Sequence, residues 1–273
     1  MNTTLLALAS LSAYAVTGIL YGWYLYHRKP RIGQAATGGL LVSLGIHYFA
    51  LLARSRALHT VPYNDLWGSM SLLAWLLALL YLGLELRYRD RAAGPFVLAI
   101  VLGWQAAMVF FGGAPAPSAA GELRGALFAF HITSTMLAYA AFALAFILSA
   151  LFLLEQRFIR SHHWGRLFWR LPPLDLLERM SSTGIKVGMV ALCLGVFTGF
   201  LSSQRLLGRA WSGDAKEVWS LLVLLIYAAY LWLRSQAGWQ GSRASLLSVV
   251  AFGIVLFGYT IVNFFLTHYH TFY

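Results

Sequence analysis

The chain has 273 residues, of which 60% are hydrophobic and only 11% charged, and its mean hydropathy is +0.69. A soluble domain carries about 25% charged residues, so a soluble globular fold is excluded. The formal net charge is +11, yet the lysines and arginines stand in short loops between apolar runs, where membrane topology accounts for them and no nucleic-acid partner is expected.

Runs apolar and long enough to cross about 30 Å of hydrocarbon as a helix recur at 4–26, 35–53, 66–84, 94–112, 127–153, 182–203, 218–234 and 244–266. They predict an all-α polytopic membrane protein of about eight transmembrane helices, a single integral membrane domain over 1–273. The first run is too long for a removable signal peptide and lacks its small-residue cleavage site, so it is read as a retained helix. The loops differ in cations. Arg28, Lys29 and Arg31, then Arg87, Arg89 and Arg91, then five arginines between 157 and 179, then Arg234 and Arg243 fall on one side. Arg54, Arg56, Arg124, Arg205, Arg209 and Lys216 fall on the other. The richer side is read as cytoplasmic, which puts both termini on the outer, periplasmic side of a bacterial inner membrane.

The 157–180 connection, RFIRSHHWGRLFWRLPPLDLLERM, mixes Arg and His with Trp, Phe and Leu, in the manner of a stretch lying along the inner interface. Its Pro172-Pro173 step is expected to end any helix there. The adjacent His162 and His163 do not share a helix face and are read as interfacial residues. The single cysteine, Cys193, lies in an apolar run, so there is no intrachain disulfide, CxxC pair or CxxCH haem-attachment box. The stretch 113–121, GAPAPSAAG, reads as a flexible outer loop.

Histidines carry the chemical signal, because a metal-ligating side chain in a membrane helix is costly and marks function. Five of the eight, His47, His59, His131, His268 and His270, fall on the outer side. On that side, between the sixth and seventh helices, runs SSQRLLGRAWSGDAKEVWSLL, which gathers Trp211, Asp214, Lys216, Glu217 and Trp219. An interfacial aromatic belt with solvated charges has this composition. So does a haem site, in which imidazoles from two distant helices fill the axial positions, aromatic rings cover the macrocycle and cations pair with the propionates. A bare transition-metal site would leave the tryptophans without a role.

The segment from Trp211 to Trp219, followed by LLVLLIYAAYLWLR, resembles the tryptophan-rich WWD signature of the cytochrome c assembly protein family, the haem-handling membrane proteins of the CcsA and CcmC type. In CcsA-type members the pattern runs W-S-W-D-P-K-E-x-W and continues into I-Y-A-x-Y-L-H-x-R. Trp211, Asp214, Lys216, Glu217 and Trp219 match it, while Gly213 replaces the central Trp and Ala215 the Pro. FAFHITSTMLAYAAFALAF is similar to the family helix that carries the first outer histidine, here His131. VNFFLTHYHTFY resembles the family ending that carries the second, which counting from Asn263 places on His270. LHTVPYNDLWGS resembles the G-H-F-P-x-S-N-L-Y-E-S segment after the second helix. The resemblance covers about 45–273 and is strongest from 127 onward.

The resemblance implies a non-covalent haem b over this loop at the outer face, with His131 and His270 as axial ligands to its iron. Trp211 and Trp219 would be ring contacts, Asp214, Lys216 and Glu217 would shape the loop, and Arg205 or Arg209 would pair with propionates. Asn263 and Thr267 share a helix face with His270 and are candidates to orient it. His47, His59 and His268 are additional candidate ligands, His47 being equally readable as a hydrogen-bonded packing residue. The haem-handling core would be 127–273, and the implied role is a subunit of cytochrome c maturation that presents haem to an apocytochrome CxxCH. Because this sequence shows no large soluble domain, a CcsB/ResB-like membrane partner is expected. Trp232 stands where the family's Y-L-H-x-R has its histidine. That departure and Gly213 favour the alternative, an accessory or regulatory subunit of the HemX or YpjD type. No inverted repeat or broken helix pair marks a transporter.

Overall fold

The fold, taken from a computed structural model, is described at residues 3–58, 61, 65–112, 126–161, 170–208, 211 and 215–258, apart from the side chains of Leu206, Leu207, Ala215 and Lys216. Among these residues there are eight helices and no strand: α1 (Thr3–His27), α2 (Pro30–Leu58), α3 (Leu66–Tyr88), α4 (Gly94–Phe111), α5 (Ala126–Arg160), α6 (Leu174–Leu207), α7 (Ala215–Gln236) and α8 (Ser242–Phe257). Seven are long and apolar enough to cross a membrane, and α8 is apolar over its 16 residues. The all-helical, multi-pass architecture is the one the hydropathy predicts.

The 157–180 connection differs from its expectation. Residues 157–160 prolong α5 and residues 174–180 open α6, so much of the stretch is helix end. Pro172-Pro173 does stand outside a helix, immediately before α6, and the Pro173 carbonyl accepts the Leu176 N–H at 2.9 Å. Proline is tolerated at a helix start because its missing N–H has no intrahelical partner there. With 35 and 34 residues at 1.5 Å rise, α5 and α6 are each roughly 50 Å long, which exceeds the hydrocarbon thickness and carries their ends to the headgroups or beyond. His162, His163 and the 113–121 stretch lie outside the described residues.

The chain separates into two compact units, Met1–Gly121 with Glu155–Leu176, and Glu122–Leu154 with Leu177–Tyr273. In the first, α1 buries Ala7, Ser10, Tyr14, Thr17, Tyr21 and Leu25, a spacing of three and four that defines one helix face. The face is largely polar, the reverse of a soluble helix. In lipid there is no hydrophobic gain in bringing two helices together, so small and hydrogen-bonding residues hold the contact. Thr17 and Ser43 pair their hydroxyls at 3.0 Å. At the end formed by the last turns of α1 and α3, Glu85 is buried and accepts from the Tyr21 and Thr37 hydroxyls at 2.5 Å each, with Arg91 Nε 3.3 Å away. Gly94 starts α4 directly against the Tyr21 ring, where a Cβ would collide. At the opposite end Arg54 donates to both Asp65 carboxylate oxygens, at 2.9 and 2.7 Å, and Asp65 caps α3 by accepting the Gly68 N–H.

In the second unit α5 and α6 run antiparallel in one register. Ser149 meets Ser181 at 2.8 Å, and then Gly188 faces the Phe142 ring, Gly195 faces Thr135 and Gly199 faces His131. Each α6 residue lies opposite an α5 residue displaced by the same amount in the other direction, and glycine at three of the contacts lets the helices approach closely. Tyr227 of α7 stacks on Phe142 with centroids 3.7 Å apart, and Phe252 of α8 stacks near Phe146 at 5.0 Å. Arg234 and Glu178 form an ion pair of 2.5 Å between α7 and α6.

Candidate cofactor site

His131 lies in the second turn of α5, half-buried. Its Nδ1 is 2.7 Å from the carbonyl oxygen of Gly195. A carbonyl only accepts, so Nδ1 carries the proton and the imidazole is in the tautomer whose lone pair is on Nε2. A histidine that donates from one ring nitrogen to a backbone carbonyl is oriented, and made more basic, for ligation through the other. Sequence explains the approach: at Gly199 an added Cβ would stand 2.8 Å from His131 Cε1 and 2.9 Å from Nδ1. Any residue but glycine there would displace the ring. Thr198 also donates to the Gly195 carbonyl, at 3.1 Å, and Thr135 donates to the His131 carbonyl at 2.9 Å.

Aromatic side chains gather at this end of the unit. Phe200, the next residue after Gly199, has its ring 6.0 Å from that of Trp211, which is 43% exposed. Trp219, in the first turns of α7, packs its indole on Gly258 and lies 5.5 Å from Phe257, so the end of α8 sits beside the start of α7. Two buried polar atoms at this end, Trp219 Nε1 and Ser202 Oγ, have no hydrogen-bond partner among the described residues. Leaving such a group unpaired costs about 1–3 kcal/mol, and a ligand bearing acceptors would recover it.

The structure thus brings His131, Trp211 and Trp219 to one end of the second unit. Arg205 is exposed on α6 six residues beyond Gly199, Glu217 is half-buried in the first turn of α7, and Lys216 is described in its backbone only. Asp214, Arg209, His59, His268 and His270 lie outside the described residues.

His47 has different surroundings, in the first unit. It is fully buried, with Nδ1 3.2 Å from the Tyr14 hydroxyl and Nε2 2.9 Å from Ser71 Oγ. The Ser71 hydroxyl donates to Gln105 Oε1 at 3.2 Å, Gln105 Nε2 donates to Ser10 Oγ at 2.8 Å, and Ser10 donates to the Ala7 carbonyl. With its proton given to Gln105, Ser71 must accept from His47, so Nε2 is protonated and Nδ1 accepts from Tyr14. Each hydroxyl, amide and ring nitrogen along this chain from α1 through α2 and α3 to α4 is used, and His47 has no lone pair left over. Sequence reasoning fixed on histidines and passed over Gln105, Glu85 and Tyr14. The signal for them was the same one applied to histidine, a polar side chain inside an apolar run.

Fold and site define a class: a multi-pass helical membrane protein with an oriented histidine and an aromatic cluster at one end of a helical unit. The family model described as Cytochrome C assembly protein matches residues 63–270, and the chain belongs to that family. Its relatives include the cytochrome c biogenesis protein CcsA of Prochlorococcus marinus subsp. pastoris, 30% identical over 74% of this chain and 72% of that protein. CcsA of Mesostigma viride is 27% identical over 95% of this chain and 93% of its own length. Protein HemX of Brevibacillus brevis is 26% identical over 90% of each.

Proposed function

We propose that the chain is a haem-binding membrane subunit of cytochrome c maturation, which holds haem b non-covalently at the outer face for attachment to an apocytochrome CxxCH. The observation that carries this reading is the orientation of the His131 ring, seated against Gly199 with Nδ1 donating to the Gly195 carbonyl. In this reading His131 and His270 would hold the haem iron, and Trp211 and Trp219 would pack against the macrocycle. Arg205 and Arg209 would pair with propionates, and Asp214, Lys216 and Glu217 would shape the loop between α6 and α7. When bound, haem supplies the vinyl groups to which the apocytochrome thiols add. This chain's residues ligate and orient, and the unpaired Trp219 N–H and Ser202 hydroxyl are further donors to a seated acceptor. None of them acts as nucleophile or general base, so any synthase activity belongs to an assembly with a CcsB/ResB-like partner. The membrane would be the bacterial plasma membrane, with both termini outside.

The test is the reduced-minus-oxidised absorption spectrum and pyridine haemochrome of the detergent-purified chain, beside His131→Ala and His270→Ala. A low-spin b-type signal lost in either variant is expected. An unchanged signal in both would overturn the ligand assignment. Trp232, 61% exposed on α7 at the family's histidine position, and the similarity to Protein HemX favour a second reading, an accessory or regulatory subunit without synthase activity. A wild-type chain that takes up no haem when haem is supplied would decide for it.

A further inference from the structure

Two non-glycine residues have positive φ among the described residues, and both are arginines: Arg28 at 54° and Arg89 at 55°. They follow the last turns of α1 and α3, each closing its helix with an N–H to the carbonyl four residues back, Tyr24 and Glu85 respectively. Glycine favours this left-handed position because a Cβ is strained there. Backbone closure therefore does not explain the choice of arginine, and the side chains do.

Those side chains stand at one end of the first unit. Arg28 donates to the Arg170 carbonyl, and the Arg170 guanidinium lies over the Tyr26 ring at 4.0 Å from its centroid. Arg28 also lies 5.7 Å from the Tyr24 ring. Glu85 is committed to Tyr21, Thr37 and Arg91, and Asp90 accepts the Ala92 N–H. Among the described residues no carboxylate comes within ion-pair distance of Arg28, Arg89 or Arg170. Trp23 and Tyr26, 51% and 52% exposed on α1, are the amphipathic residues that settle at headgroup depth. Guanidiniums at that depth and short of anions, with Arg28 and Arg170 held on aromatic rings, meet the phosphates of the bilayer before anything else.

We infer that this end of the first unit binds the headgroup of an anionic phospholipid, with Arg28, Arg89 and Arg170 as the phosphate contacts and Trp23 and Tyr26 setting the depth. The site is independent of the haem reading, since it lies in the other unit and uses none of that site's residues.

The full chain is reconstituted into vesicles containing brominated phosphatidylglycerol or brominated phosphatidylcholine, and the quenching of Trp23 is isolated by difference against Trp23→Phe. Phosphatidylglycerol is expected to occupy the site several-fold in preference to phosphatidylcholine. Arg28→Gly and Arg89→Gly give glycine its favoured backbone, so their melting temperatures should hold or rise while the preference falls toward one. Arg56→Gln, at the opposite end of the unit, keeps it. Equal quenching by the two lipids in the wild type overturns the inference, as does a preference that survives in the Arg28→Gly/Arg89→Gly double variant. Displacement of the lipid by millimolar inorganic phosphate would mean a free-phosphate site instead.

Discussion

Substituting Gly199 by alanine tests how the candidate ligand is held. The new Cβ would lie 2.8 Å from His131 Cε1 and 2.9 Å from Nδ1, against 3.4–4 Å for ordinary contact. Relief requires the imidazole to withdraw by roughly 0.6 Å or more, and α6 cannot yield easily, because close packing transmits strain. The Nδ1 to Gly195 hydrogen bond, 2.7 Å long, would lengthen to about 3.3 Å or tilt, near the limit at which it stops being one. Overpacking of this kind costs about 1–3 kcal/mol. Where that strain falls on the ligated state, haem affinity drops about 5-fold to 150-fold, since 1.4 kcal/mol is tenfold. The assay is a haem titration of the detergent-purified variant followed at the low-spin Soret band, with thermal unfolding measured alongside. Gly103→Ala is the control: its added Cβ meets nothing within 4 Å, and alanine is the better helix former by about 0.5–1 kcal/mol. A Gly199→Ala protein that titrates like wild type would refute the reasoning that α6 seats the His131 ring.

Two further perturbations separate structural polar groups from ligands. His47→Ala should leave the Tyr14 hydroxyl without its acceptor and Ser71 Oγ without the hydrogen bond it receives from Nε2, at about 1–3 kcal/mol for an orphaned buried group, lowering the melting temperature, while His47→Gln keeps a donor toward Ser71 and loses less. Neither should change the haem spectrum, and a lost low-spin component in the folded His47→Gln protein would show that reasoning to be wrong. Glu85→Ala removes the acceptor for Tyr21, Thr37 and Arg91; breaking a buried pair costs about 3–5 kcal/mol, here toward the lower figure because Arg91 is 27% exposed. Glu85→Gln should be milder, and equal melting temperatures for the two variants would remove the ion pair from the account.

Helix number and class were legible because about 20 apolar residues in a row admit one structure in lipid, in which every backbone group is bonded within the segment. Helix ends were less legible. Hydropathy marks where a chain leaves hydrocarbon, whereas a helix continues until its hydrogen bonds fail, so α6 starts at Leu174 rather than at the apolar onset near 182. In the site, His131 and the tryptophans stood out by residue type. Their support did not: Gly195 and Gly199 are two glycines in a helix rich in them, and their meaning depends on an antiparallel register with α5 that no local pattern encodes. His47 was open between two roles in the sequence, because burial and hydrogen-bond direction are three-dimensional facts.

The contrast between His131 and His47 comes from proton accounting. At His131 the partner is a carbonyl, which can only accept, so the proton is on Nδ1 and the lone pair on Nε2. At His47 the partner on Nε2 is a serine whose own proton is already given to Gln105, so the proton is on Nε2 and Tyr14 takes the lone pair on Nδ1. Ligation of iron by His47 would require breaking the Tyr14 bond and leaving a buried hydroxyl without its acceptor. Trp232 stands where the resembling Y-L-H-x-R pattern has its histidine, so α7 offers no imidazole at that position. The α1–α4 unit thus commits its buried histidine to internal hydrogen bonds, whereas the α5–α6 contact orients His131 through Nδ1.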